Sequence, residues 1–355
     1  MNYTCLIVIL TGLISTIFGC GYSTHFYISQ LAIGESGQLT PELYNLLSTY
    51  SDIVQVGSSS PDWGWNFLIK RYQERSLFMH EEIFLTTSFD YVKKKFSNFN
   101  DEEAKKYLAF FIGLGGHQTA DLYWHGYNGD PLAFLLEAAH KDFNKENFEG
   151  ITEQIVEWGV DLFIWRNQKP TVNFKWWIPA QAVSDIYTQA GGPDVSPTEF
   201  VLGMDLLKAI ILLLKTLNWF GDELGKIIEP WTHDNYMTYA PGGINHCAEM
   251  SVPYYSDAWL YLNDKQSDLS SFFAKPKIES VFDQDFEFFE NVIPAAQELI
   301  DNGILVIDHT DLGDGVVVTE SPHIPDLSKF LGLLTRYFGI EILQKLSYEA
   351  LRDFL

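Results

Sequence analysis

The chain has 355 residues, of which 46% are hydrophobic and 15% aromatic, with ten Trp. That excludes a disordered protein and allows one large core or two. The formal net charge of −24 argues against a duplex nucleic-acid binder, which neutralises phosphates with Lys and Arg, but not against a site that holds phosphate through bound cations.

At the N-terminus, residues 6–19 (LIVILTGLISTIFG) are apolar and uncharged. Fourteen residues fall short of the roughly 20 that a bilayer span needs. The stretch reads as the core of a secretory signal peptide, although no Lys or Arg lies in the first five residues. Cleavage before Cys20 leaves residues 20–355 as one mature domain; an uncleaved anchor and a lipid-modified Cys20 are the alternatives. The chain is then expected to be secreted, or to reside in the lumen of the secretory or lysosomal pathway. Cys20 and Cys247 lie outside the signal and are able to pair in an oxidising compartment.

From there helical periodicity dominates, and the fold class is all-α. Apolar spacing of i, i+3, i+4 runs through TPELYNLLSTYSDIVQVG, DEEAKKYLAFFIGLGGHQTADLYWH, PLAFLLEAAHKDF and ITEQIVEWGVDLFIWR. It continues in SPTEFVLGMDLLKAIILLLKTLNWFGDELGKIIE, VPYYSDAWLYLNDKQ, DFEFFENVIPAAQELIDNG and IPDLSKFLGLLTRYFG. Thr40-Pro41-Glu42, Asp101-Glu102-Glu103 and Ser196-Pro197-Thr198-Glu199 are start signals. The apolar window AIILLLKTL is read as a core helix, because Asp205, Lys208 and Lys215 interrupt it. The one strand-like stretch, residues 304–320, predicts a small C-terminal β-hairpin around an Asp- and Gly-rich turn.

Five of the nine His (His25, His80, His117, His125 and His140) lie in the first 140 residues. His117, Asp121 and His125 recur every four residues, which places them in one stripe along a helix. A middle carboxylate can bridge two metals while the imidazoles above and below bind one each. A single helical His is more often only hydrogen-bonded, and polar stripes also occur on surfaces, so the stripe alone leaves both readings open. Gly115 and Gly116 precede it; each costs about 1 kcal/mol in a helix, which calls for a close approach or room for metal.

The segments CGYSTHFYISQLAI, VGSSSPDWGW, FMHEEIF, FFIGLGGHQTADLYWH and AAHKDFN, in that order, resemble the zinc-dependent phospholipase C family. Within it the chain most resembles the catalytic domain of glycosylphosphatidylinositol-specific phospholipase D, and more distantly the fungal zinc nucleases. The motifs cover residues 20 to about 150. The resemblance implies a multi-helix phospholipase C/zinc nuclease-like domain with three zinc ions. Cys20, through its α-amine and carbonyl, and His25 would bind one. Asp62, His80 and His117 would hold a second, with Asp121 bridging, and His125 and His140 a third. The family's acidic ligand four residues beyond the last His is Asn144 here, a poorer neutral donor, with Asp142 or Glu146 as substitutes.

The implied activity is a zinc-dependent phosphodiesterase of the phospholipase C/D type, with Asp62 as general base or ligand. Its substrate would be a phospholipid or glycosylphosphatidylinositol head group, met in transient contact with a membrane surface. Trp63, Trp65, Trp124 and Tyr127 would line a lipid pocket or merely pack a core. A single-strand nuclease, or a zinc-binding chain without turnover because of Asn144, are the alternatives.

Overall fold

The computed structural model describes residues 21–64, 70–127, 132–144, 151–218, 229–265 and 292–338, with positions 129, 226 and 269. The expected signal peptide and Cys20 lie outside the described residues.

The N-terminal elements are α1 (Tyr22–Gly34), α2 (Pro41–Thr49), α3 (Ser51–Ser59) and a 3₁₀ turn (Ser60–Gly64). After them come α4 (Lys70–Leu77), α5 (Glu82–Lys95), α6 (Glu102–Trp124), α7 (Phe134–Phe143) and α8 (Ile151–Phe163). Strand β1 (Trp176–Ile178) precedes α9 (Ala180–Gln189), α10 (Pro197–Leu217), α11 (Pro230–Asn235) and α12 (Ile244–Leu262). The described C-terminal elements are α13 (Val292–Asp301), β2 (His309–Asp311), β3 (Val317–Thr319) and α14 (Leu327–Phe338). The start signals act as read. Thr40 caps α2, Asp101 caps α6, and Ser196 with Glu199 closes a capping box on α10. The stretch read as one helix over 40–57 is two, because Tyr50 leaves helical geometry at φ −112°, ψ 32°.

Helix α6 is the axis of the domain. From Tyr107 to Leu122 every side chain is buried, so its apolar residues run all round the helix rather than along one stripe. It meets α3 backbone to backbone: a Cβ on Gly57 would lie 2.0 Å from Phe110 O, and one on Gly113 2.2 Å from Val54 O. Helix α12 covers another face of α6. There the Tyr254 and Tyr255 hydroxyls occupy the space that side chains on Gly115 and Gly116 would need. Those two glycines therefore make room for tyrosines rather than for metal.

The hairpin read from residues 304–320 is present as β2 and β3, and it pairs with a strand the sequence did not signal. The sheet order is β1-β3-β2, both pairings antiparallel, with Trp177 opposite Val318 and Val318 opposite Thr310. All three residues of β1 are buried, so the period-2 alternation that marks a half-exposed strand is missing.

Helix α10 is a core helix, and no helix among the described residues is long and apolar enough to cross a membrane. Its charges anchor the sheet. Lys208 Nζ donates to Thr319 O at 3.3 Å, to Thr319 Oγ1 and to Glu320 O at 3.3 Å, above the Trp176 ring. Asp205 Oδ2 faces His309 Nε2 at 2.7 Å. Burial pulls the Lys208 ammonium down to about 7, against the pull of Asp205 and Glu320. Between about 7 and the ordinary 10.5 the unfolded chain then holds more protons, so this lysine's contribution to stability rises with pH across that window. Lys208→Met is expected to flatten the rise. In urea titrations the stability of wild type relative to the variant should climb from pH about 7 to about 10; a constant difference would mean that buried Lys208 keeps its proton.

Candidate metal centre

Four segments deliver side chains to one buried point. Helix α6 supplies His117 and Asp121, with His125 just past its last turn, and none is more than 3% exposed. Helix α1 supplies His25 from its first turn, the 3₁₀ turn after α3 supplies Asp62, and the turn after α4 supplies His80.

Backbone carbonyls set the orientation of two rings. His117 Nδ1 lies 2.8 Å from Ser58 O and His80 Nδ1 lies 3.2 Å from Ser76 O. A carbonyl only accepts, so each Nδ1 donates to it and each Nε2 is the ring atom left facing the cluster. Those two Nε2 atoms are 3.0 Å apart. Burial lowers the pKa of His80. Two imidazole nitrogens that close need a proton or a cation beside them, because bare lone pairs would repel.

The carboxylates add negative charge to the same point. Asp121 Oδ2 lies 3.0 Å from His117 Nε2 and 3.9 Å from His80 Nε2, while its Oδ1 lies 3.4 Å from His25 Nε2 and 3.7 Å from His125 Nε2. Its two oxygens therefore face two different pairs of imidazoles. Burial works to raise the Asp121 pKa, and the neighbouring His117 and His25 outweigh it and hold the group well below the usual carboxylate range. Asp62 Oδ1 lies 3.6 Å from His80 Nε2 and 3.8 Å from His117 Nε2. Neither Asp62 oxygen accepts a hydrogen bond among the described residues, and burial pushes its carboxyl well up. The His25 ring stacks on His117 at 3.8 Å, and burial, then His117, pulls its pKa down to about 3. Imidazoles and carboxylates buried together in this way are the donor set that zinc takes. Ligand atoms of His25, Asp62 and His117, and again of His80, His117 and Asp121, lie within 4.8 Å of one another.

The cluster includes a residue that the sequence reading passed over. Glu157 of α8 is fully buried with Oε1 3.6 Å from His125 Nε2. Its signal was available: Glu157 and Asp161 are acids four apart in α8, the same spacing that singled out the α6 stripe.

His140 and Asn144 are not in the cluster. Both are exposed, His140 in the last turn of α7 and Asn144 at its C-cap in the left-handed conformation, φ 52°. Asn tolerates that conformation, so its role here is to end a helix. Asp142 accepts the Trp231 and Thr232 N–H groups at 2.8 and 2.9 Å, capping α11, and Glu146 lies outside the described residues. Asn144→Ala should cost about 1 kcal/mol, Asn144→Gly close to nothing, and neither variant nor His140→Ala should change metal content. Metal loss in Asn144→Gly would return that position to the site.

Of the aromatic residues read as pocket candidates, Trp63 and Trp124 are buried in the core. Trp63 donates to Tyr187 Oη at 3.2 Å, and Trp124 packs on Phe134. Tyr127 stacks on His125 at 4.8 Å, and Trp65 lies outside the described residues. Cys247 is buried in α12, with Sγ 3.2 Å from Gly242 O, and its proposed partner Cys20 lies outside the described residues.

Fold and cluster together define an all-α protein built around a buried histidine–carboxylate centre. Residues 24–194 match the model of the zinc-dependent phospholipase C family, the family its motifs resemble. Among curated proteins it is 24% identical over 249 residues to phosphatidylinositol-glycan-specific phospholipase D of Dictyostelium discoideum, covering 70% of this chain and 26% of that protein. The Bos taurus protein of the same name is 25% identical over 249 residues, covering 66% of this chain and 28% of its own length. The Homo sapiens one is 23% identical over 265 residues, covering 70% and 30%. The chain thus spans under a third of the length of these relatives. No solved structure matches it.

Proposed function

We propose that the chain is a secreted zinc-dependent phosphodiesterase that hydrolyses a phospholipid or glycosylphosphatidylinositol head group. The observation that carries this is the pair of buried Nε2 atoms of His80 and His117, 3.0 Å apart beside Asp62 and Asp121, within the region that matches the family. His25, His80, His117, Asp62 and Asp121 would hold zinc, with Asp121 bridging, and His125 with Glu157 would form a further donor pair. Bound zinc would neutralise phosphate oxygens and lower the pKa of a water toward 7.

The chain's own groups do the rest. The Ser58 and Ser76 carbonyls hold Nδ1 of His117 and of His80, so that each ring turns its Nε2 toward the cluster. Asp62 has Oδ1 turned to the histidines, and Oδ2, buried without a hydrogen-bond partner among the described residues, would accept the proton of an attacking water. Burial keeps bulk water out of the cluster, which strengthens every charge interaction in it.

A chain without turnover was suggested by Asn144, and Asn144 lies on the surface. Product analysis on the purified chain tests the proposal. Incubated with phosphatidylinositol vesicles and with a glycosylphosphatidylinositol-anchored protein, it should release either the phosphorylated head group or phosphatidic acid. Release of nucleotides from single-stranded DNA with no lipid product would make it a nuclease, and no product from any of the three would remove the enzymatic reading.

A further inference from the structure

Helix α1 delivers His25, yet its own sequence provides no N-terminal cap. The N-cap is Gly21, which has no side chain, and no acid stands in the first turn. The N–H groups of Ser23 and Thr24 are among those that lack an intrahelical acceptor. The acceptor comes from α8, 137 residues away: Asp161 Oδ2 takes Ser23 N at 3.1 Å, and Asp161 Oδ1 takes Thr24 N at 2.8 Å and Thr24 Oγ1 at 2.9 Å. Asp161 is 1% exposed, so little water competes for these bonds. A carboxylate at this end also meets the positive pole of the helix dipole. The fit leaves no slack, because a Cβ on Gly21 would sit 2.2 Å from Asp161 Oδ1. About one turn past Asp161, just beyond the end of α8, Trp165 Nε1 donates to Ser23 Oγ at 2.8 Å.

The same helix reaches the cluster one turn earlier. Glu157, four residues before Asp161, faces His125. His25 follows directly after Thr24, its N bonded to Gly21 O at 3.1 Å and its Nε2 3.4 Å from Asp121. We propose that Asp161 is a positioning residue: it caps α1 in trans and so fixes where His25 enters the metal centre, without itself ligating metal. The proposal rests on the zinc-site reading above. It divides two neighbouring acids of α8 by role, Glu157 toward the histidines and Asp161 toward the backbone of α1.

Zinc affinity of the full chain, measured by competition with a chromogenic chelator, separates positioning from ligation. Asn caps a helix about as well as Asp does, and its single oxygen can keep the Thr24 N–H and hydroxyl that Asp161 Oδ1 accepts while giving up the Ser23 N–H. Asp161→Asn should therefore keep the affinity of the weakest zinc within about threefold of wild type, while Asp161→Ala should lose about tenfold or more. Thr24→Val, which touches no ligand, should lose part of that, and adding it to Asp161→Ala should cost little more, because both remove one network. If Asp161 ligates zinc, Asp161→Asn falls as far as Asp161→Ala, Thr24→Val is silent, and the proposal is overturned while the zinc site stands. Should Asp161→Ala fail to fold, the Asp161→Asn and Thr24→Val comparison decides alone. A wild-type chain that binds no zinc overturns the site reading and this proposal with it.

Discussion

Asp121→Asn is expected to abolish most activity and to lose at least one metal ion while the helices persist. Asp121 is the one carboxylate whose two oxygens face separate pairs of imidazoles, His117 and His80 on one side, His25 and His125 on the other. Asn keeps the shape but offers a single oxygen, and its NH2 group turns two protons toward rings that need a negative partner. Loss of a group that merely orients a metal ligand already costs 10- to 100-fold, so the loss here should exceed about a hundredfold in kcat/KM. His233→Ala is the control. His233 packs edge-on against Phe163 and pairs with Asp234, away from the cluster, and should leave metal and rate unchanged. An Asp121→Asn protein with a full complement of zinc would rule out the bridging role.

The largest effect on stability is expected from Gly113→Ala. Its new Cβ would lie 2.2 Å from Val54 O and 3.1 Å from Ser58 N, both backbone atoms of α3, which have no rotamer to change. Helices α3 and α6 must separate, and overpacking against backbone should cost more than about 3 kcal/mol, far beyond the roughly 1 kcal/mol that Ala gains over Gly as a helix former. The same movement carries Ser58 O away from His117 Nδ1, so zinc affinity should fall together with stability. Gly34→Ala, at an exposed position with nothing within 4 Å, should change the urea midpoint by no more than about 0.5 kcal/mol equivalent. Equal midpoints for the Gly113 and Gly34 variants would show that the two helices are not held in contact.

Much of the centre could be read from the sequence because a buried cluster of ionisable side chains leaves a mark that packing does not. His117, Asp121 and His125 stand out where α6 is otherwise apolar, and their spacing alone puts them on one face. The helix starts were legible for a similar reason, since Ser196 with Glu199 is a local chemical arrangement. What escaped depends on how helices face one another. His140 and Asn144 satisfy a spacing carried over from the family, but α7 turns His140 outward, and Asn144 ends the helix in a left-handed turn. Glu157 has the same four-residue spacing, to Asp161, but α8 opens on Thr152, Glu153 and Gln154, so its acids look like solvated positions, and only the packing of α8 aims Glu157 at His125. Strand β1 was hidden by its complete burial, and Gly115 and Gly116 by partners more than 130 residues away, Tyr254 and Tyr255.

The zinc content of the purified chain, counted by mass spectrometry after exhaustive dialysis against metal-free buffer, bears most directly on the buried histidine–carboxylate centre. His25, Asp62, His80, His117 and Asp121 should retain at least two zinc ions per chain, released only by a strong chelator or by acid. A chain that retains none, yet melts with the cooperativity of a folded protein, would contradict the assignment of that cluster as a metal centre.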